Sequence, residues 1–164
     1  MRTAIIDSGP LISLTHLDLA EALSLYFDTV LVPKAVQIEV NRKHRFRYRL
    51  NKLYKTGIFA SCRSADEWNV QLLRPLVDEG EAEGLIQAQE GHAAAFIGDE
   101  VRARQVARDM GLTPVGTVRI LARLQLEGYV KDVWAVIAKL QKDLAFRVSD
   151  EIVQKAIARA PEPI

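Results

Sequence analysis

Met1-Arg2-Thr3-Ala4-Ile5-Ile6-Asp7-Ser8-Gly9-Pro10 sets a short apolar run against a carboxylate, a hydroxyl and two chain-breaking residues. A run without polar alternation suits a strand buried on both faces, the kind that fills parallel sheets. Such strands deliver functional groups at their carboxyl ends, so this stretch places Asp7 at the mouth of a crevice. Pro10 suits the first turn of a following helix, where its missing N–H costs nothing. Acidic residues recur at element ends farther along, at Glu39, at Glu81 or Glu83, and at Asp99.

Working outward, strand and helix signals alternate. Thr3–Ile6 reads as a strand and residues 10–25 as a helix. Residues 29–32 are β-rich and end at Pro33, which opens a helix to about Asn41. Phe46, Leu50, Leu53 and Tyr54 follow helical spacing, which predicts an amphipathic helix with its cations outward. A short strand is expected over Ile58–Arg63 and a helix over Ala65–Leu73, entered through Ser64. Residues 79–91 predict a helix closed by Gly91. Further strands are expected over 93–97 and 112–115, with helices over 101–110, 117–127, 133–144 and 151–160, the last capped by Ser149. This alternation argues for a three-layer α/β/α sandwich with a mostly parallel central sheet. In that architecture Asp7 and Asp99 share one sheet edge.

With 164 residues the chain suits one domain with a full core. Hydrophobic residues are 49% and charged residues 26%, as in ordinary globular proteins. No apolar stretch approaches the ~20 residues of a membrane span, and Asp7 interrupts the opening run too soon for a secretory signal. Cys62 is the single cysteine, which excludes an internal disulfide and a cysteine-based zinc site. A cytoplasmic location is the expectation. The net charge is +1, but Arg42, Lys43, Arg45, Arg47, Arg49, Lys52 and Lys55 form a run without an intervening acid. That segment is +7, leaving 1 − 7 = −6 on the remainder. A basic strip on an acidic body suits a phosphate backbone, a solvated helix face or an acidic partner protein.

Magnesium and manganese prefer oxygen ligands, commonly a few carboxylates with water and substrate phosphate. Phosphodiester hydrolysis uses one or two such ions to activate water and steady the leaving oxygen. Asp7 and Asp99 at strand ends, with Glu39 and Glu81 on flanking helices, meet that need. Each also has a structural role open to it. Asp7 and Asp99 can cap helices, Glu39 can face solvent, and Glu79, Glu81 and Glu83 favour a helix dipole. His16, His44 and His92 are widely separated, the Gly-x-Ser-x-Gly elbow is absent, and no glycine-rich phosphate loop occurs.

The segment Ile5-Ile6-Asp7-Ser8-Gly9-Pro10-Leu11-Ile12 resembles the first motif of PIN-domain ribonucleases. Val32-Pro33-Lys34-Ala35-Val36-Gln37-Ile38-Glu39-Val40 is similar to their second, and Gly80-Glu81-Ala82-Glu83-Gly84-Leu85-Ile86 to their third. Phe96-Ile97-Gly98-Asp99-Glu100, followed by Arg102 and Arg104, resembles the fourth. Pro114-Val115-Gly116-Thr117-Val118 and the Ser149-Asp150-Glu151 helix look like the VapC-like toxin branch. The resemblance runs in order through nearly the whole chain and implies a single PIN-like domain over 1–164.

It implies an RNase dependent on Mg2+ or Mn2+, the toxin of a type II toxin–antitoxin pair, acting on RNA and neutralised by a cognate antitoxin. Asp7, Glu39, Glu81 and Asp99 carry over as catalytic, metal-holding carboxylates. Water attack in line would leave a 3′-hydroxyl and a 5′-phosphate. Ser8 and Thr117 are secondary candidates to bond the carboxylates or a metal-bound water, or to cap their helices. Glu83 competes with Glu81 for the third position; the eighteen residues from Glu81 to Asp99 favour Glu81. Glu100 is a further candidate acid. Arg42, Lys43, Arg45, Arg47, Arg49 and Arg102 are candidate RNA contacts, with Tyr48 as a stacking candidate. A homodimer is implied by analogy. The alternatives are a catalytically inactive PIN-like module binding RNA or protein, and a metal-dependent phosphatase of small substrates.

Overall fold

A computed structural model describes residues 1–62 and 66–164. The chain divides into two compact units, Met1–Val115 and Gly116–Ile164. In the first unit β1 (Thr3–Ile6) leads into α1 (Ser8–His16), and β2 (Thr29–Val32) into α2 (Lys34–Arg42) and α3 (His44–Tyr54). Then come β3 (Phe59–Ser61), α4 (Glu67–Leu73), α5 (Glu79–Glu90), β4 (Ala95–Ile97), α6 (Val101–Asp109) and β5 (Pro114–Val115).

Among the described residues the five strands form one sheet in the order β3-β2-β1-β4-β5, and every pairing is parallel. The chain builds β1, β2 and β3 in one direction, then returns to lay β4 and β5 on the other side of β1. The switch therefore falls between β1 and β4. Crevices in open parallel sheets form at that point, beyond the carboxyl ends of the strands. Ile6 pairs with Ile97, so Asp7 follows one rim strand directly and Asp99 follows the other by two residues.

The sheet is flanked by helices, as the expected α/β/α sandwich requires. Ile5, Ile6, Phe96 and Ile97 are buried, matching the unbroken apolar reading of their strands. α5 packs on β1 and β4 through Ala82, Leu85 and Ile86. Gly84 permits the close approach: a Cβ there would stand 3.2 Å from Phe96 Cε2 and 3.4 Å from Ile5 Cγ2.

One local departure has a clear cause. The helix expected over 10–25 ends at His16, and a 3-10 helix occupies Ala20–Leu25. Asp18 between them has φ 56°, a left-handed conformation that Asp tolerates better than most residues. Apolar spacing continues across the break and so does not reveal it. α4 is entered through Asp66, whose side chain accepts from Trp68 N–H at 2.9 Å and Asn69 N–H at 3.2 Å. The expected strand end at Arg63 and helix entry at Ser64 and Ala65 lie outside the described residues.

The second unit comprises α7 (Thr117–Leu126), α8 (Val133–Leu144) and α9 (Asp150–Ala158). α7 packs against both other helices. Asp132 caps α8 by accepting from Trp134 N–H, and Ser149 caps α9 by accepting from Ile152 N–H. Arg123 reaches from α7 to the carbonyls of Ala160 and Pro161, at 3.1 and 3.0 Å. Trp68 is 72% exposed and Trp134 40% exposed, so neither indole is the core residue its size would favour. Tyr26 and Phe27 are buried. No helix among the described residues is long and apolar enough to cross a membrane.

Candidate active site

Asp7 is the centre of the site. It is the N-cap residue of α1, its backbone N–H donates to the Ile97 carbonyl at 2.9 Å, and it is 8% exposed. Burial pushes its carboxyl up to about 8; the Ser8 backbone N–H donates toward it and opposes that rise. The charges of Glu81, Asp78 and Glu39 raise it further, which places three acids within electrostatic reach. A carboxyl in that setting gains from an added cation.

α5 brings two of those acids. Asp78 Oδ1 accepts from the Glu81 N–H at 2.8 Å, and Glu81 Oε2 accepts from the Asp78 N–H at 3.0 Å. This reciprocal capping box holds Glu81, 5% exposed, at the first turn of the helix. A Cβ on neighbouring Gly80 would lie 3.8 Å from Asp7 Oδ1, so backbone passes close to the carboxylate. Burial raises the Glu81 carboxyl above its ordinary range, and Asp78, Glu100 and Glu39 add to the rise while the Asp78 N–H opposes it. Glu39, half-buried on α2, thus acts on both Asp7 and Glu81.

Asp99 reaches the same edge from β4. Its Oδ2 would meet a Cβ on Gly9 at 3.9 Å, beside the start of α1. Glu100 is the exposed N-cap residue of α6, and Arg102 is exposed on its first turn.

Glu83 has a different occupation. Its two carboxylate oxygens accept from Ala35 N–H at 2.8 Å and Lys34 N–H at 3.3 Å. Those amides open α2 after Pro33 and have no partner within their own helix. Glu83 therefore closes the end of the helix that carries Glu39. Glu81 and Glu83, ambiguous by sequence, have separate surroundings.

Asp78 is the acid that motif reading missed. Its signal was present, since Asp78-x-x-Glu81 before an apolar helix spells a capping box. Thr117 is buried in the first turn of α7, in the second unit, and Ser8 is half-buried in the first turn of α1. Of the basic residues, Arg42, Lys43, Arg45 and Arg47 are at least partly exposed. Arg45 lies over the Phe46 ring at 4.8 Å. Arg49 donates to the Thr15 carbonyl at 2.9 Å and stands 3.6 Å from Asp18, closing the end of α1.

The donor set is entirely oxygen, which fits a hard divalent cation. Among the described residues no three His, Cys, Asp or Glu side chains converge tightly enough to hold one ion as placed. Magnesium commonly takes one or two carboxylates and completes its shell with water and phosphate, so the arrangement is compatible with it. Mutual repulsion also keeps carboxylates apart until a cation joins them.

No curated protein matches the chain. A family model described as a PIN domain matches residues 3–162. PIN domains are generally metal-dependent nucleases. The match takes in both acid-bearing strand ends and almost the whole sequence: the chain belongs to the PIN-domain family.

Proposed function

We propose that this PIN-domain protein is an endoribonuclease dependent on Mg2+ or Mn2+, with Asp7, Glu39, Glu81 and Asp99 as its working carboxylates. One observation carries the reading: Asp7 is buried at the topological switch, and the acids that raise its pKa come from two separate helices. Asp7 and Asp99 would hold the cation from the two rim strands, and Glu39 and Glu81 would bind it directly or through water. When bound, such an ion polarises the scissile phosphate and makes water a usable nucleophile near neutral pH. The chain's own residues define the rest. The α1 amino terminus faces the anionic substrate with a favourable dipole, and the Asp78–Glu81 capping box fixes one carboxylate in place. Arg42 and Arg47 supply charge for the phosphates.

The same reading extends to a toxin of a type II pair, a single domain over 1–164, a homodimer, a cognate antitoxin and a cytoplasmic location. The first four rest on the motif resemblance, which runs through nearly the whole chain, and the location on the single cysteine and the sequence's lack of a long apolar stretch. The test is cleavage of a mixed structured RNA with and without manganese, beside Asp7→Asn. Cleavage that needs both the metal and Asp7 supports the proposal.

A non-catalytic binding module is the second reading. It is favoured by the absence, among the described residues, of a tightly gathered three-acid cluster. It predicts RNA binding in chelator with no strand scission under any metal.

A further inference from the structure

α2 and α3 border an open cleft of about 450 Å3 lined by Ile38, Asn41, Arg42, His44 and Arg47. That volume lies within the range of small-molecule sites, which run from about 300 to 1,000 Å3. Its contents are specific. Arg42 stands three residues after Glu39 on α2, so it adjoins the acid site within one helical turn, about 5 Å along the axis. Among the described residues neither Arg42 nor Arg47 pairs with a carboxylate, unlike Arg49, Arg74, Arg123 and Arg159. Asn41 contributes a buried Oδ1 without a hydrogen-bond donor. A buried acceptor without a donor is costly. Asn41 as a whole is half-buried and lines the cleft, so a turn of its carboxamide would present Oδ1 to a ligand that brings the donor. Tyr48, 78% exposed, follows His44 by four residues on α3 and so lies on the same helix face.

We propose that this cleft is a ribonucleotide subsite, in which Arg42 and Arg47 hold a phosphate, Asn41 Oδ1 accepts from a ribose 2′-hydroxyl, and Tyr48 stacks a base. The assignment rests on the RNA reading above and adds to it the basis for choosing RNA over DNA. Phosphate is common to both polymers, and every base presents a stackable face, so guanidinium and phenol contacts do not discriminate between them. The 2′-hydroxyl does, being the one donor that RNA carries and DNA lacks. It lies beside the 3′-phosphate, and Asn41 lies beside Arg42 in the chain. A base amino group is the other donor that could reach Asn41, and it differs in depending on sequence and ignoring the sugar.

The test is fluorescence anisotropy in chelator, where no cleavage occurs, with one single-stranded sequence made as RNA, DNA and 2′-O-methyl RNA. The wild-type protein binds RNA about three- to tenfold more tightly than the other two, the range of one neutral hydrogen bond. 2′-O-methyl RNA retains the bulk and acceptor of the sugar and lacks the donor, so it groups with DNA. Asn41→Ala abolishes the preference and leaves DNA affinity unchanged. Arg47→Ala weakens all three and lowers the salt slope by about one. Tyr48→Ala weakens all three alike. The proposal is overturned if 2′-O-methyl RNA binds like RNA, or if Asn41→Ala keeps the preference. It is also overturned if the effect of Asn41→Ala follows base sequence and ignores the sugar. Absent cleavage with the sugar preference intact sinks the nuclease reading and leaves the subsite standing. Cleavage without sugar preference in binding sinks the subsite alone.

Discussion

Replacing Asp7 by Asn should stabilise the metal-free protein, even though the acid is central to the proposed chemistry. The carboxyl moves from an ordinary value of 3.8 to about 8 on folding. Its folded value lies above its unfolded one, so the contribution to stability is complete below 3.8 and is lost as pH rises toward 8. At pH 7 the linkage amounts to about 4 kcal/mol, since each unit of pKa is worth about 1.4 kcal/mol. Asparagine keeps the shape and does not ionise, so it escapes this loss. A chain of this length gains about 2–4 °C in Tm per kcal/mol, which predicts a rise on the order of 10 °C. Urea unfolding in chelator at acid, neutral and alkaline pH reads the effect directly. The gap between the two proteins should be small below about pH 4, widen through neutrality and become constant above about pH 9. An Asp7→Asn protein no more stable than wild type at alkaline pH would refute the claim that Asp7 is buried among other acids.

Further outcomes separate the structural residues from the chemical ones. Glu83→Ala removes the cap on α2 and should lower stability by about 1–2 kcal/mol in denaturant melts, whereas Glu81→Gln should abolish cleavage with a much smaller cost. Arg49→Ala should lower the melting temperature through the loss of the α1 end contacts, by about 1 kcal/mol, and change RNA affinity less than Arg47→Ala. Gly98→Ala puts a Cβ 2.5 Å from Phe96 Cε1, and calorimetry should show a loss of about 1–3 kcal/mol as the ring is displaced. Tyr54→Phe removes a buried hydroxyl without a partner, so the variant should unfold at equal or higher denaturant concentration.

The fold was legible because its deciding signals are local. Unbroken apolar runs at Thr3–Ile6 and Ala95–Ile97, each closed by a Gly or acid and followed by a helix, spell parallel strands with crossovers. The break at Asp18 was not legible, because a left-handed residue among leucines leaves the helical spacing intact. The two roles of Glu81 and Glu83 were not legible either. Both sit in one helical turn, and their difference lies in what faces them: the α2 amides for one, Asp7 for the other. That is a property of tertiary packing, set by Gly84 drawing α5 onto the sheet. The basic run shows the same limit. Its charge is plain in sequence, yet only the fold shows that Arg49 is tied to α1 while Arg42 and Arg47 face a cleft.

The most direct test of the central claim is calorimetric titration of Mn2+ into the wild-type protein and Asp7→Asn, repeated in buffers of different ionisation enthalpy. The account predicts binding by wild type with release of close to one proton near neutral pH, because the Asp7 carboxyl must ionise to meet the ion, and little release at alkaline pH. Asp7→Asn should bind far more weakly and without that proton. Equal manganese affinity in the two proteins, or none in either, would contradict it.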